Sequence, residues 1–313
     1  MTSPPPVKLL IICGPTASGK SELALRLAHD LDAEIVNADS MQIYCGLDVG
    51  TAKPTPEQQA EIRHHLIDIA NPAQLFSAAD FCAAADAAIR DIVSRGKRVI
   101  VAGGTGLYIR ALVKGLVDSP SGEGKLREAL QDESGMVGNA AMLEKLRQVD
   151  PELAAVLHPN NLVRIIRALE VYQLTGMPLS QYQKKHAFAT RRYEALQIGI
   201  SVDRSVLYER IDDRVEQMLA SGLLDEVRSL LAAGYGCDIK PLRSIGYKEA
   251  VAHLSGDVSA EEAVRLIKRN TRHYAKRQLT WFKADPDILW FEYPEKFDKI
   301  IAHAIDFYEQ REA

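Results

Sequence analysis

The chain has 313 residues and a formal net charge of −4; 47% of its residues are hydrophobic and 26% are charged. These values are typical of a folded globular protein with one large or two smaller domains. They exclude a uniformly basic polyanion-binding protein, so any nucleic-acid surface must be local. Four scattered cysteines without a Cys-x-x-Cys pair argue against disulfide scaffolding and a zinc site. The N-terminus has no apolar signal region, and we expect a cytoplasmic protein without a membrane span.

The first chemical motif is a phosphate-binding loop between an apolar strand at 9–13 and a helix at 21–28. Its glycines allow backbone N–H groups to surround an anion, and the helix N-terminus adds positive potential. We expect Lys20 to supply a mobile positive charge and Ser21 a hydroxyl group for Mg²⁺. The predicted ligand is a diphosphate or triphosphate. The predicted binding residues are Gly14, Pro15, Thr16, Ala17, Ser18, Gly19, Lys20 and Ser21.

Strands and helices alternate after this loop. Strands are predicted at 33–37, 66–69 and 97–102, with a helix from Ser77 to Ser94 before the last of them. This alternation predicts an α/β fold, a parallel sheet of the P-loop NTPase type covered by helices. Asp39 follows the second strand and is therefore expected at the same sheet edge as the phosphate loop. An Asp at this position is equally typical of a turn or a helix cap.

The pattern changes after residue 115. Residues 116–124 are rich in Ser, Gly and Pro and indicate a hinge, and the following 60 or so residues have helical periodicity only. An apolar strand at 195–200 indicates that the sheet resumes there. We therefore predict a core domain of residues 1–115 and 195–313, and a helical insertion domain of residues 116–194.

The C-terminal part is mainly helical, and its longest helix, predicted at 260–283, is strongly basic. No acidic residue lies between Glu262 and Asp285. Together with aromatic neighbours, such a helix is typical of phosphate-backbone contacts. The alternative is a basic face neutralised by carboxylates elsewhere in the fold. The basic residues are Arg265, Lys268, Arg269, Arg272, Lys276, Arg277 and Lys283.

Three kinds of function fit these features. A small-molecule or nucleotide kinase would hold ATP in the loop and close the insertion as a lid. A transferase acting on a nucleic acid would hold a diphosphate there and grip the polymer with the insertion and the basic helix. A nucleotide-gated binding protein would do no chemistry. The basic helix favours the second.

Nine segments resemble the bacterial tRNA dimethylallyltransferases, in the family's order and over nearly the whole chain. They are GPTASGKS (14–21), DSMQIY (39–44), GTAKP (50–54), HHLIDI (64–69), FSAADF (76–81), GGTGLY (103–108), RIIRALE (164–170), SIGY (244–247) and YAKRQLTWF (274–282). The resemblance implies transfer of a dimethylallyl group from dimethylallyl diphosphate to the N6 amine of the adenosine 3′ to the anticodon, with release of diphosphate.

The resemblance also implies roles for individual residues. Asp39 would act as the general base for the adenine amine, which is a poor nucleophile. Arg214 resembles the family's arginine near the diphosphate, although an ion pair with Asp212, Asp213 or Glu216 on its own helix is an alternative. Thr105 corresponds to a position close to the reacting base. Mg²⁺ bound at Ser21 would help to neutralise the leaving diphosphate.

The expected macromolecular partner is the anticodon stem-loop of a tRNA, whose adenine must leave the stack to be reached. Dimethylallyl diphosphate is the expected small partner, and we expect a monomer. Val163 stands where the family often has Gln. The residues expected to contact tRNA are Asp39, Ser40, Met41, Gln42, Thr105, Arg127, Val163, Arg164, Ile165, Ile166 and Arg167, with Arg272 and Lys276 added from the basic helix.

Overall fold

The computed structural model describes residues 6–116, 124–186 and 192–310. The chain forms two compact units. The first consists of Met1–Val113 with Arg192–Ala313 and contains a parallel sheet; the second, Lys114–Arg191, is helical. The predicted hinge at 116–124 lies largely outside the described residues. No helix in the three described ranges is long and apolar enough to cross a membrane.

A six-stranded sheet with every pair of neighbours parallel forms the centre of the first unit. The strand order is β3-β2-β4-β1-β5-β6, so β1 lies between β4 and β5. The predicted α/β class and parallel sheet are confirmed. The strands are β1 (Lys8–Cys13), β2 (Ala33–Asn37), β3 (His64–His65), β4 (Arg98–Gly103), β5 (Glu194–Ser201) and β6 (Ile288–Glu292).

The central strands consist of continuous runs of apolar residues, which suits strands that are buried on both faces. Leu9, Leu10, Ile11 and Ile12 of β1 have no exposed side-chain surface, since helices cover both faces of the sheet. The sheet therefore fixes the carboxyl ends of β1, β2 and β4 at one edge. The helices of this unit are α1 (Lys20–Asp30), α2 (Pro56–Glu61), α3 (Ala78–Ser94), α4 (Gly106–Lys114), α10 (Arg204–Ala220), α11 (Leu223–Ala232), α12 (Tyr247–Leu254), α13 (Ala260–Lys283) and α14 (Phe297–Glu309).

The strand predicted at 66–69 is wrong, because the extended segment is β3, two residues earlier. Leu66 and Asp68 adopt φ angles of 65° and 55°, and extended backbone is impossible at these values. The Leu66 side chain is nevertheless buried, so its apolar character reflects packing of a turn. Asp68 pairs with Lys53 at 2.5 Å. The short helix α12 was also not predicted.

The helical unit contains five helices and, within its described residues, no strand. Its own core includes Leu130, Met142, Leu146 and Leu169. The apolar periodicity of the helices supplies buried faces, which pack against one another in this core. The helices are α5 (Lys125–Val137), α6 (Asn139–Val149), α7 (Pro151–Val156), α8 (Leu162–Thr175) and α9 (Leu179–His186).

Candidate active site

The phosphate loop connects the end of β1 to the start of α1, as its sequence predicts. Gly14 and Gly19 have φ angles of 143° and 95°, a region that side chains with a Cβ rarely adopt. Ala17 also has a positive φ of 62°. The hydroxyl group of Ser18 is fully buried within the loop and has no hydrogen-bond partner among the described residues. The loop is thus a strained backbone turn at a helix N-terminus, which is the geometry of an anion site.

Two cavities open beside this loop, one of about 740 Å³ and one of about 80 Å³. Lys20, Ser21 and Arg214 line both of them. Asp39 lines the smaller cavity together with Tyr274. The structure therefore brings the phosphate loop, the predicted base and the predicted arginine to one place, although Arg214 lies about 190 residues after the loop in sequence.

Asp39 has both a structural and an available oxygen atom. Its Oδ1 accepts a hydrogen bond from the backbone N–H of Met41 at 2.8 Å, which is the turn role expected of Asp after a strand. No hydrogen bond from another described residue engages its Oδ2. Fixing one oxygen holds the carboxylate in a single orientation and leaves the second oxygen for a ligand in the cavity.

Thr105 lies next to Asp39 through the backbone of Ser40. Its hydroxyl group accepts from the Ser40 N–H at 3.0 Å, and its own N–H donates to the Ala38 carbonyl at 3.2 Å. Gly103 approaches Ala38 so closely that a Cβ atom would overlap the Ala38 backbone. The glycine-rich turn 103–108 therefore packs directly against the segment that contains Asp39.

Arg214 is directed into the site rather than paired on its own helix. Its Nη2 donates to the Thr51 carbonyl at 3.2 Å. Asp212 and Glu216, two of its possible helix partners, instead bind Arg272 and Lys268 of α13, the latter at 2.5 Å. The alternative of a helix ion pair is thus not realised for Arg214 among the described residues.

The loop that receives Arg214 is itself held by a carboxylate. Glu226 accepts hydrogen bonds from the N–H groups of Asp48 and Val49, each at 2.7 Å, and from Gly50 at 3.1 Å. It also accepts from the Tyr247 hydroxyl at 2.6 Å, which explains the tyrosine of the SIGY segment. These bonds fix the GTAKP segment, whose Thr51 and Ala52 carbonyls also accept from the Gln42 amide at 3.1 and 3.2 Å.

Lys20 is less basic than an ordinary lysine. Burial, and then repulsion from the Arg214 guanidinium, lower its pKa to about 8, while Asp39 acts in the opposite direction. Its ammonium donates to the Pro15 carbonyl at 2.6 Å. The neighbouring Lys53 is held by Asp48 and Asp68, each at 2.5 Å. Lys20 and Arg214, in contrast, form no ion pair within the described ranges, and two such cations close together favour an anionic ligand.

We expect the affinity for inorganic diphosphate to fall as pH rises above about 8. Below this value free Lys20 is already protonated; above it, binding requires proton uptake, because the bound anion raises the pKa of Lys20 again. This linkage weakens binding by up to about tenfold per pH unit. Calorimetric titrations between pH 7 and 9.5 measure it. The control is Lys20→Arg, whose guanidinium stays charged, so a common slope in both proteins would refute the assignment.

The donors of this site fit a magnesium ion that takes few ligands from the protein. The described part of the chain has no group of three or more His, Cys, Asp or Glu side chains that could hold a metal ion. Mg²⁺, however, usually keeps several waters and binds through substrate phosphates and one or two protein oxygens. Ser21, the first residue after the loop lysine, lines both cavities and offers such an oxygen.

The basic helix α13 is partly neutralised. Arg265, Lys268 and Arg272 form ion pairs with Glu262, Glu216 and Asp212. Carboxylates elsewhere in the fold thus neutralise Lys268 and the predicted tRNA contact Arg272, whereas the partner of Arg265 lies on α13 itself. Across the described ranges no ion pair involves the four other cations of the helix. They are Arg269, Lys276, Arg277 and Lys283.

In the helical unit, two predicted tRNA contacts share one buried carboxylate. Glu170 has no exposed surface and accepts from Arg127 at 2.8 Å and Arg167 at 2.7 Å. Burial alone would raise the pKa of Glu170, but these two guanidinium groups lower it overall. If either arginine is removed, the other still neutralises this carboxylate.

Four consecutive residues of α8 differ sharply in exposure. Val163 is 83% exposed and Arg164 is exposed, whereas Ile165 and Ile166 are buried in the core of the helical unit. The side chains of the two isoleucines therefore pack within the unit, and only their neighbours present side chains at the surface.

Sequence reasoning did not single out Tyr274 and Gln278, which line the smaller cavity with Asp39. They are four residues apart on α13 and so lie on one helix face. This spacing within the YAKRQLTWF segment is the signal that could have identified them. Burial and the nearby Asp39 raise the pKa of Tyr274, so its hydroxyl group stays protonated near neutral pH.

Known proteins are similar to this chain over most of its length. The family model for IPP transferase matches residues 42–285. tRNA dimethylallyltransferase 1 of Pelobacter propionicus is 64% identical over 309 residues, which cover 99% of this chain and 100% of the relative. The chain belongs to the tRNA dimethylallyltransferase (IPP transferase) family. A second dimethylallyltransferase, from Geobacter metallireducens, is 54% identical and covers 96% of this chain and 97% of its own length.

Solved structures of the family have the same P-loop NTPase-like fold. The full-length tRNA isopentenylpyrophosphate transferase of Bacillus halodurans is 40% identical, with a TM-score of 0.71 and coverage of 96% of this chain and 97% of its own. A eukaryotic dimethylallyltransferase described as acting on tRNA is 30% identical, with a TM-score of 0.83 and coverage of 98% and 80%. The transferase prediction is thus supported over the kinase alternative.

Proposed function

We propose that the protein transfers a dimethylallyl group from dimethylallyl diphosphate to the N6 amine of the adenosine 3′ to the anticodon of a tRNA. The observation that carries this proposal is the position of Asp39, on the same small cavity as Lys20, Ser21 and Arg214. A proton acceptor and an anion cradle are thus adjacent, as substitution at an allylic diphosphate requires. Because tRNA is the acceptor, we propose a cytoplasmic site of action.

In the proposed reaction the adenine N6 attacks the first carbon of the dimethylallyl group. The carbon–oxygen bond to the diphosphate breaks, and its electron pair leaves with the diphosphate. Asp39 takes the proton that the amine loses, through the oxygen that no described residue engages. Thr105 itself lines neither cavity, but it lies one hydrogen bond from Ser40, in the turn whose Gly103 and Gly104 line the smaller cavity.

The leaving diphosphate gains negative charge as the bond breaks, and positive groups at that point stabilise the transition state. Lys20, Arg214 and backbone N–H groups of the phosphate loop would provide this charge. Bound at Ser21 and at the diphosphate oxygens, Mg²⁺ would add further positive charge. The adenine must leave its stacked position in the anticodon loop to reach Asp39, so the protein acts on a flipped base.

The direct test is incubation with unmodified tRNA, dimethylallyl diphosphate and Mg²⁺, followed by mass analysis of the nucleosides. We expect an adenosine heavier by one dimethylallyl group and an equal amount of released diphosphate. Absence of this product with a competent tRNA, together with ATP-dependent phosphorylation of a small acceptor, would instead establish the kinase.

The unpaired cations of α13 are proposed to contact the tRNA backbone. Replacing Lys276 with alanine should weaken tRNA binding uniformly and reduce the slope of log affinity against log salt by about 1. Filter-binding titrations at several salt concentrations measure this slope. The matched control is Arg265→Ala, because Glu262 already neutralises Arg265. Equal slopes for Lys276→Ala and wild type would remove this helix from the tRNA-binding surface.

In the helical unit the proposed tRNA contacts are the exposed side chains of Val163 and Arg164, with Arg127 and Arg167 as charges fixed by Glu170. A guanidinium held on a buried carboxylate loses little further freedom when it meets a phosphate. Ile165 and Ile166 would support these contacts from the core rather than make them.

A further inference from the structure

The side chain of Gln278 joins the two glycine-rich turns of the site. Its Oε1 accepts from the backbone N–H of Thr16 in the phosphate loop at 2.9 Å. Its Nε2 donates to the carbonyl of Gly104 in the turn 103–108 at 2.9 Å. Only 6% of Gln278 is exposed, so neither bond is exchanged freely with water. A single carboxamide therefore connects the anion cradle to the segment that contains Thr105.

The chemistry of the two partners explains why a carboxamide is needed. An N–H group requires an acceptor and a carbonyl requires a donor, and a glutamine side chain offers both at one end. An ionised glutamate could accept from Thr16 but would oppose the Gly104 carbonyl. A leucine would leave both backbone groups unpaired in a buried place, at a cost for each.

The packing around this contact shows that α13 is fitted to the turn. A Cβ atom at Gly104 would overlap the Gln278 amide, and one at Gly106 would overlap the Trp281 ring. Gln278 and Trp281 are three residues apart and face the turn together. The glycines of the turn are thus required for the approach of α13, which positions the Gln278 amide between the two turns.

We propose that Gln278 is a positioning residue that sets the distance between the phosphate loop and the Thr105 turn. The N–H of Thr16 is committed to Gln278 and is therefore removed from the set of loop donors that face the diphosphate. Through this bond the glutamine holds the cradle in place, and through Gly104 it holds the wall next to Asp39. The proposal rests on the proposed function where it is tested by the rate of prenyl transfer. Its test by the affinity for inorganic diphosphate does not depend on that function.

The test compares Gln278→Glu with wild type, with Gln217→Glu on the exposed face of α10 as the matched control. We expect Gln278→Glu to lower kcat/KM for dimethylallyl diphosphate by about 10–100-fold, since small misplacements of reacting groups have effects of this size. The affinity for inorganic diphosphate should fall at least tenfold. The affinity for tRNA should stay within about twofold.

A pH series separates positioning from a general loss of structure. When the introduced glutamate is protonated it can again donate to Gly104 and accept from Thr16, so the diphosphate affinity of Gln278→Glu relative to wild type should recover as pH falls. Gln278→Leu cannot recover in this way, and its ratio to wild type should not change with pH. The charged or titratable groups that line the same cavity and act in all three proteins are Lys20, Asp39, His64, Arg214 and Tyr274.

Equal diphosphate affinity for Gln278→Glu and wild type would overturn the proposal, as would a deficit that does not change with pH. Thermal unfolding of each protein identifies a variant that fails to fold. If Gln278→Leu fails, the comparison of Gln278→Glu with wild type at two pH values remains valid, because it does not use that variant. Failure of the proposed function gives a different result, because wild type would then lack prenyl transfer while its diphosphate affinity could still depend on Gln278.

Discussion

Replacing Asp39 with asparagine is expected to lower turnover by roughly 10²–10⁴-fold, the usual contribution of a general base. Asparagine keeps the size of the side chain and can still accept from the Met41 N–H through its carbonyl oxygen. It cannot take a proton from the adenine amine. Binding of tRNA should change little, since the turn geometry is preserved. Single-turnover rates with saturating substrates, beside tRNA affinities, measure the two quantities separately.

Asp213→Asn is a suitable control for this experiment. Asp213 is exposed on α10 and does not line either cavity, so its substitution removes one negative charge away from the site. Turnover of Asp39→Asn at the level of this control would withdraw the role of general base from Asp39. Asp39 would then have only a structural role, in which its carboxylate accepts the hydrogen bond from the Met41 N–H.

Loss of the Arg214 guanidinium is expected to have the second-largest effect. Arg214→Ala should lower kcat by about 10²–10³-fold, as removal of one charged donor from a developing oxyanion does. The affinity for inorganic diphosphate should also fall. In Arg214→Ala the pKa of Lys20 should rise towards its ordinary value, because the Arg214 charge is one of the causes that lower it. Rates, diphosphate affinity and the pH dependence of binding measure these three effects.

Arg210 lies one turn earlier on the same helix and is exposed, so Arg210→Ala is the matched control. Arg214→Lys should retain part of the rate, since it keeps the charge but loses the planar fork of the guanidinium. If Arg214→Ala and Arg210→Ala had the same kcat and the same diphosphate affinity, Arg214 would have no part in binding the leaving group.

Much of the fold follows from local patterns in the sequence. The strand, glycine loop and helix around residues 9–28 are adjacent in the chain, and their hydrophobic periodicity and turn residues specify them directly. The Ser77 cap at the start of α3 is a local signal of the same kind, and its hydroxyl does accept from the Asp80 N–H. The prediction of a strand at 66–69 was wrong because two residues with positive φ angles, Leu66 and Asp68, turn the chain there.

The hydrogen-bond partners of the site residues could not be predicted from local sequence patterns. Gln278 binds Thr16 across 262 positions of sequence, and Arg214 binds Thr51 across 163. Asp212 and Glu216 are near Arg214 in sequence but lie on a different face of α10, where they bind Arg272 and Lys268 of α13. Glu226 gave no signal at all, because its task is to bind backbone N–H groups that every residue except proline possesses.

The ion pairs between α10 and α13 have an evolutionary consequence. Asp212 and Glu216 lie two residues before and after Arg214, on a different face of α10, and their ion pairs with Arg272 and Lys268 join α10 to α13. A substitution at position 272 would leave the partly buried carboxylate of Asp212 without its partner where the two helices meet. Positions 212 and 272 should therefore be replaced together among homologues, and a lineage that loses one charge should lose or exchange the other.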